Sequence, residues 1–244
     1  DDRGSAEDVS APGTPAGGRR LAGRVVLVTG AYGGYGRALA VDCARAGARL
    51  VLLGRNARKL ERAADAVEQA GGEALLYPLD LEGATPDDYA ELAARVGEGA
   101  GRLDALVHCA AHFPGLTPLE HSDPAAFARA LHVGLTARWW LTQACLPLLR
   151  DSGAGRVVFA VDPGPRAFPA YWGGYGVAQR GLEALVETLA AEQPGLAVHA
   201  LHLPPLRTPL RARAYAADED RLARDPAGFT GPCLDLLAGG GEGA

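Results

Sequence analysis

No apolar run in the 244 residues approaches the roughly 18 needed to cross a bilayer, so a membrane span is not expected. No block of Lys or Arg stands out that could track a phosphate backbone, and the formal charge is −5. Nucleic acid and anionic membrane surfaces are therefore excluded as expected partners. Cysteine is sparse: Cys43, Cys109, Cys145 and Cys233 lie far apart in apolar segments without the spacing of metal ligands. They read as buried thiols of a reducing compartment, with no metal site, and point to a cytoplasmic protein. The opening stretch, DDRGSAEDVSAPGTPAGGRR, lacks the apolar centre of a signal peptide. Residues 1–22 are expected to be a disordered leader, and 23–244 one folded domain.

What is present is 48% hydrophobic and arranged in alternation. RVVLVT, RLVLLG, EALLYPLD, RLDALVHCA, GRVVFAV and GLAVHALHLP are short apolar, largely β-branched runs that predict strands. Between them lie helical patterns: GRALAVDCARAGA, NARKLERAADAVEQAGG with Asn56 as its cap, and TPDDYAELAARVGEG with Pro86 in its first turn. Two more follow, one long helix over 122–151 capped by Ser122 or Asp123, and GYGVAQRGLEALVETLAAEQP. Strand-then-helix repetition requires crossovers, so the fold class is α/β, a Rossmann-like, doubly wound parallel sheet of about six strands with helices on both faces. The tail after Pro204 carries one or two short helices and nothing that reads as a seventh strand.

The first strand runs into TGAYGGYG, residues 29–36. Glycine there allows a sharp turn and close backbone approach to a pyrophosphate, which the next helix meets with unpaired N–H groups. Gly30, Gly34 and Gly36 resemble the TGxxxGxG motif of the short-chain dehydrogenase/reductase family, and the resemblance extends from about Gly23 to Thr208. It implies a nicotinamide dinucleotide cofactor held by that loop, Tyr32 and Tyr35 included. Arg55, just past the second strand, stands where NADP-preferring members carry a basic residue. No acidic group is there for a ribose hydroxyl, so NADP(H) is favoured over NAD. Asp80 matches the carboxylate that contacts adenine, with Leu81 beside it, although Asp80 also reads as a local cap. Ala110, in HCAA, is what remains of the family's NNAG stretch, whose first position is His108.

The catalytic pattern departs from the family. Of the Asn, Ser, Tyr and Lys that the resemblance implies, only Tyr175 remains. Gly134 replaces the Asn, Asp162 replaces the Ser thirteen residues before the Tyr, and Gln179 replaces the Lys four residues after it. Recruiting Arg180 instead would rotate the side chain by about 100° around the helix. At an effective dielectric of about 20, a unit charge about 5 Å away is worth about 3 kcal/mol, or roughly 2 pKa units. Loss of a cation and gain of an anion would together hold Tyr175 as a neutral phenol and weaken proton transfer. Alternatively, Asp162 itself carries a proton and donates a hydrogen bond to a substrate oxygen.

Two readings follow. One is an NADP(H)-dependent carbonyl reductase or alcohol dehydrogenase with weak or altered chemistry; the other is a non-catalytic protein that binds a dinucleotide or a partner. Gln179 retains the capacity to bond ribose hydroxyls. Leu206 and Thr208, in LPPLRT, match the family's cofactor-contacting turn, although Pro204 and Pro205 lack N–H groups. AHFPGLTPLEH and RARAYAADEDR are expected to flank the substrate cleft, and ARWWLTQACLPLL has apolar bulk to spare for a homodimer through the long helices.

Overall fold

Five consecutive buried residues, Val25–Thr29, form β1, as expected of a strand covered on both faces. Alternate residues feed two separate cores. Val26 and Val28 pack with Leu39, Leu60 and Leu237 on one face. Val25 and Leu27 pack with Leu92, Leu141 and Leu182 on the other. A computed structural model describes residues 18–215 and 222–240 of the chain.

The other strands are β2 (Arg49–Gly54), β3 (Glu73–Pro78), β4 (Ala105–His108), β5 (Arg156–Val161) and β6 (Ala197–His202). All pair in parallel, in the order β3-β2-β1-β4-β5-β6. Chain order reverses between β1 and β4, and the crevice beyond their carboxyl ends is where open α/β sheets bind ligands. The helices are α1 (Gly34–Arg45), α2 (Ala57–Gln69), α3 (Pro86–Ala100), α4 (Pro124–Leu131), α5 (Ala137–Asp151), α6 (Gly164–Ala167), α7 (Gly173–Glu192), α8 (Pro209–Ala214) and α9 (Gly231–Ala238). Asn56 caps α2 by accepting the Lys59 N–H, and Asp123, rather than Ser122, caps α4 through the Ala126 N–H.

Two expectations change. The long helix expected over 122–151 is two helices joined by a π turn, His132–Thr136. Such a turn inserts a residue and re-aims the side chains on either side of it. The leader expected over 1–22 does not take in Leu21, which is fully buried and whose N–H donates to the Ala46 carbonyl. Residues 1–17 of that leader lie outside the described residues. Among the described residues the sheet has six strands; after β6 the chain makes one isolated parallel bridge, Leu206 to Arg224, instead of a seventh. Among the described residues, no helix is long and apolar enough to cross a membrane, and no group of three or more His, Cys, Asp or Glu is placed to hold a metal ion.

Candidate functional site

The crevice between β1 and β4 is kept in register by a buried hydroxyl. Thr29 Oγ1 accepts the N–H groups of Cys109 and Ala110, both at 3.1 Å, fixing the exit of β4 against the turn after β1. Above this tie, Gly30 takes φ +63°, and a Cβ there would fall 2.9 Å from Ala110 Cα. At Gly36 a Cβ would lie 2.5 Å from the Gly30 carbonyl oxygen, so the first turn of α1 seats directly on the loop. Only glycine permits this close packing of loop, β4 exit and helix start, and a tight glycine turn running into a helix N-terminus fits a dinucleotide pyrophosphate.

The cleft over this loop has a volume of about 430 Å³. Gly30, Tyr32, Gly34, Tyr35, Gly36, Arg55, Asp80, Leu81, Ala110, Asp162, Tyr175, Gln179, Leu206 and Thr208 all line it. At one end the Tyr32 ring lies against Gly54, with the Lys59 ammonium 5.6 Å from the ring centre, and exposed Arg55 adds a second positive group. Asp80 also makes the local turn bond that its alternative reading predicts, accepting the Glu82 N–H. Thr208 caps α8 by accepting from the Arg211 N–H, and its methyl packs on the phosphate loop at Gly34. Of the two segments expected to flank the cleft, Ala111, His112 and Phe113 do so, as do Arg211 and Arg213. Residues 216–221 of the second segment lie outside the described residues.

At the other end stands Tyr175, 3% exposed and enclosed by the Phe113 and Trp172 rings. Its hydroxyl donates to Asp162 Oδ2 at 3.0 Å, while Asp162 Oδ1 accepts the Gly164 N–H at 2.8 Å. Both carboxylate oxygens are thus engaged, one with the phenol and one with a main-chain N–H. Burial, and then the Asp162 charge and hydrogen bond, push the Tyr175 phenol well above its ordinary pKa of 10.0. One turn along α7, Gln179 is buried, and its Oε1 accepts the Asp162 N–H at 2.9 Å. Its amide N–H groups remain available for a ribose hydroxyl. Arg180 lies off this face and pairs with Glu183 at 3.7 Å.

Gly134 is the one expected site residue that does not line the cleft. It sits in the π turn, where a Cβ would come 2.8 Å from Ala178 Cβ of α7.

The sequence reading missed Arg138, which is 1% exposed and reaches the cleft from α5. It occupies the buried stripe Ala137, Arg138, Leu141, Thr142, Cys145 and Leu149, and that lone cation in an apolar stripe is the signal that could have revealed it. Its guanidinium donates to the carbonyls of Ala160 (3.2 Å) and Ala110 (2.5 Å), tying the exits of β5 and β4 together. Burial brings its pKa down to about 10, which leaves it charged near neutrality. The phenol has therefore not lost all positive charge; the cation comes from α5 instead of from α7.

His108 behaves as a core side chain, stacked on Phe159 at 4.6 Å and bonded to Thr142 Oγ1 at 2.9 Å. The Thr142 hydroxyl gives its proton to the Arg138 carbonyl, so His108 Nε2 is the donor to Thr142. Burial, then the Arg138 charge, hold its pKa well below the ordinary 6.5. Below pH 6.5 the unfolded chain takes up a proton that folded His108 refuses, so unfolding becomes easier as the pH falls. The slope is expected to reach about 1.4 kcal/mol per pH unit. Urea melts between pH 7 and 5 should show this decline reduced in His108→Asn; equal slopes in both proteins would refute it.

Residues 24–219 match the family model described as short chain dehydrogenase. An uncharacterized oxidoreductase, YciK of Escherichia coli strain K12, is 35% identical over 206 residues, covering 84% of this chain and 82% of that protein. A short chain dehydrogenase structure from Pseudomonas syringae is 38% identical with a TM-score of 0.86, covering 90% of each chain. Another, from Escherichia coli CFT073 in complex with NADPH, is 34% identical with a TM-score of 0.86, covering 90% of this chain and 93% of that one.

Proposed function

The chain belongs to the short chain dehydrogenase family, and from that premise we propose that it is an NADP(H)-dependent oxidoreductase acting slowly on a carbonyl or alcohol. The observation that carries this reading is the Tyr175 hydroxyl, held inside the same cleft as the glycine loop. The loop of Gly30, Gly34 and Gly36 would hold the pyrophosphate, and Arg55 with Lys59 would meet a 2′-phosphate. NADPH is preferred to NADH on that account, and the NADPH complex of the Escherichia coli relative supports the preference. Bound NADPH supplies the hydride for a carbonyl carbon.

The chain's own part is the proton. Tyr175 gives it to the carbonyl oxygen and regains one from solvent. In the resting site the Asp162 carboxylate holds that proton, so the hydroxyl must turn from it toward the carbonyl, and the same carboxylate opposes the charge left on the phenol, which is why turnover is slow. Phe113 and Trp172 pack against the phenol ring and hold it in place. Part of this reading is a homodimer through the long helices, on which Trp139 and Val177 are 46% and 52% exposed.

Fluorescence titration with NADPH and NADH, then NADPH oxidation across a carbonyl panel at high protein concentration, tests the proposal. NADPH is expected to bind more tightly, and Arg55→Glu to weaken it about 10–100-fold, the worth of a charged hydrogen bond. Slow oxidation should vanish in Tyr175→Phe, and sedimentation of the same sample should give a dimer. Binding without turnover would make the chain a nucleotide-holding scaffold instead, and failure to bind would end both readings.

A further inference from the structure

Arg138 is a buried cation with neutral partners. Its two hydrogen bonds go to main-chain carbonyls, its Nε is buried without a hydrogen-bond partner, and no carboxylate among the described residues forms an ion pair with it. Desolvating a charge is costly, and tying two carbonyls needs only neutral N–H groups, which an amide could supply. A charge kept there is best explained by a negative charge that the site must tolerate. Tyr175 from α7, and His108 and Cys109 from β4 and its exit, face the guanidinium, and Asp162, from the turn after β5, bonds the Tyr175 hydroxyl. His108 is neutral and adds no second cation.

We propose that Arg138 is the resident cation of the Tyr175 site, a positioning residue that stabilises the phenolate left when the proton is transferred. The inference rests on reading Tyr175 as the proton-transfer group. Asp162 accepts the phenol's proton and disfavours its loss, while Arg138, anchored at the ends of the two strands that bracket the site, offsets that anion. The two opposed charges leave Tyr175 a weaker relay than a phenol beside a cation alone, but a stronger one than a phenol beside an anion alone. Arg138 can act without touching substrate, because the field of a charge carries through a low-dielectric interior.

The test replaces Tyr175 by 3,5-difluorotyrosine, whose phenol titrates at lower pH than tyrosine, and follows its absorbance against pH in the protein without nucleotide. Arg138→Gln should raise the transition by about 1–2 pH units, the size expected of one nearby charge in a protein interior. Arg138→Lys, which keeps the charge, should stay within about half a unit of the parent. Arg138→Met, neutral and of similar length, takes the place of the Gln variant if that one does not fold. A neutral variant that titrates with the parent, or a Lys variant that moves as far as the neutral one, would overturn the proposal. Since the titration needs neither NADPH nor substrate, a parent without carbonyl reduction would dismiss the redox reading and leave this measurement to stand or fall separately.

Discussion

Asp162→Ser combined with Gln179→Lys is expected to raise carbonyl reduction by about 10²–10⁴-fold over the parent, the usual worth of a matched general acid. In the parent, the Tyr175 hydroxyl is bonded at 3.0 Å to a carboxylate, and that anion opposes the charge the phenol acquires. A serine keeps an acceptor for the Gly164 N–H while removing the negative charge. A lysine one turn after Tyr175 projects from the same buried face of α7 and adds a positive one. Each change is worth about 1–2 pKa units on the phenol, and both act in the same direction. The variant has a cost: the Asp162 N–H loses its Gln179 acceptor, and an unpaired buried donor destabilises by about 1–3 kcal/mol. Melting temperature should therefore fall as activity rises. Adding Tyr175→Phe should abolish the gain; a gain that survives it, or no gain in a folded variant, would show that the proton does not travel through this phenol.

Gly36→Val should eliminate measurable NADPH binding, weakening it by at least about 100-fold, and lower stability by about 1–3 kcal/mol through overpacking. The first added atom would stand 2.5 Å from the Gly30 oxygen and 3.1 Å from its carbonyl carbon. Both are backbone atoms that cannot rotate away, so either the loop or the first turn of α1 must shift. Gly195→Ala, with no atom within 4 Å of the added Cβ, is the control and should bind as the parent does. Fluorescence titration and a thermal melt on the two variants decide the matter. NADPH affinity preserved in Gly36→Val would refute the cradle.

Strands and crossovers were legible in the sequence because their signals are local. Runs such as RVVLVT are too short and too apolar for anything but a covered strand, and Asn56 marks the start of its helix with its own side chain. Most of the cleft was legible as well, since the glycine loop and the residues after each strand are carried to one edge by the parallel topology itself. The electrostatics were not. Four residues after Gly134, Arg138 is separated from Tyr175 by thirty-seven positions, and only the packing of α5 under β4 and β5 brings its charge to the phenol. The π turn was equally hidden, because its hydrogen-bond shift leaves the apolar spacing of VGLTARWWL looking like uninterrupted helix.

The contact between the π turn and α7 also sets an order on any attempt to rebuild the family's site. With a Cβ at position 134 only 2.8 Å from Ala178 Cβ, asparagine cannot be installed there first without prying two helices apart. Ala178→Gly must come earlier. Rebuilding the site therefore takes two steps, the first of which brings no catalytic gain.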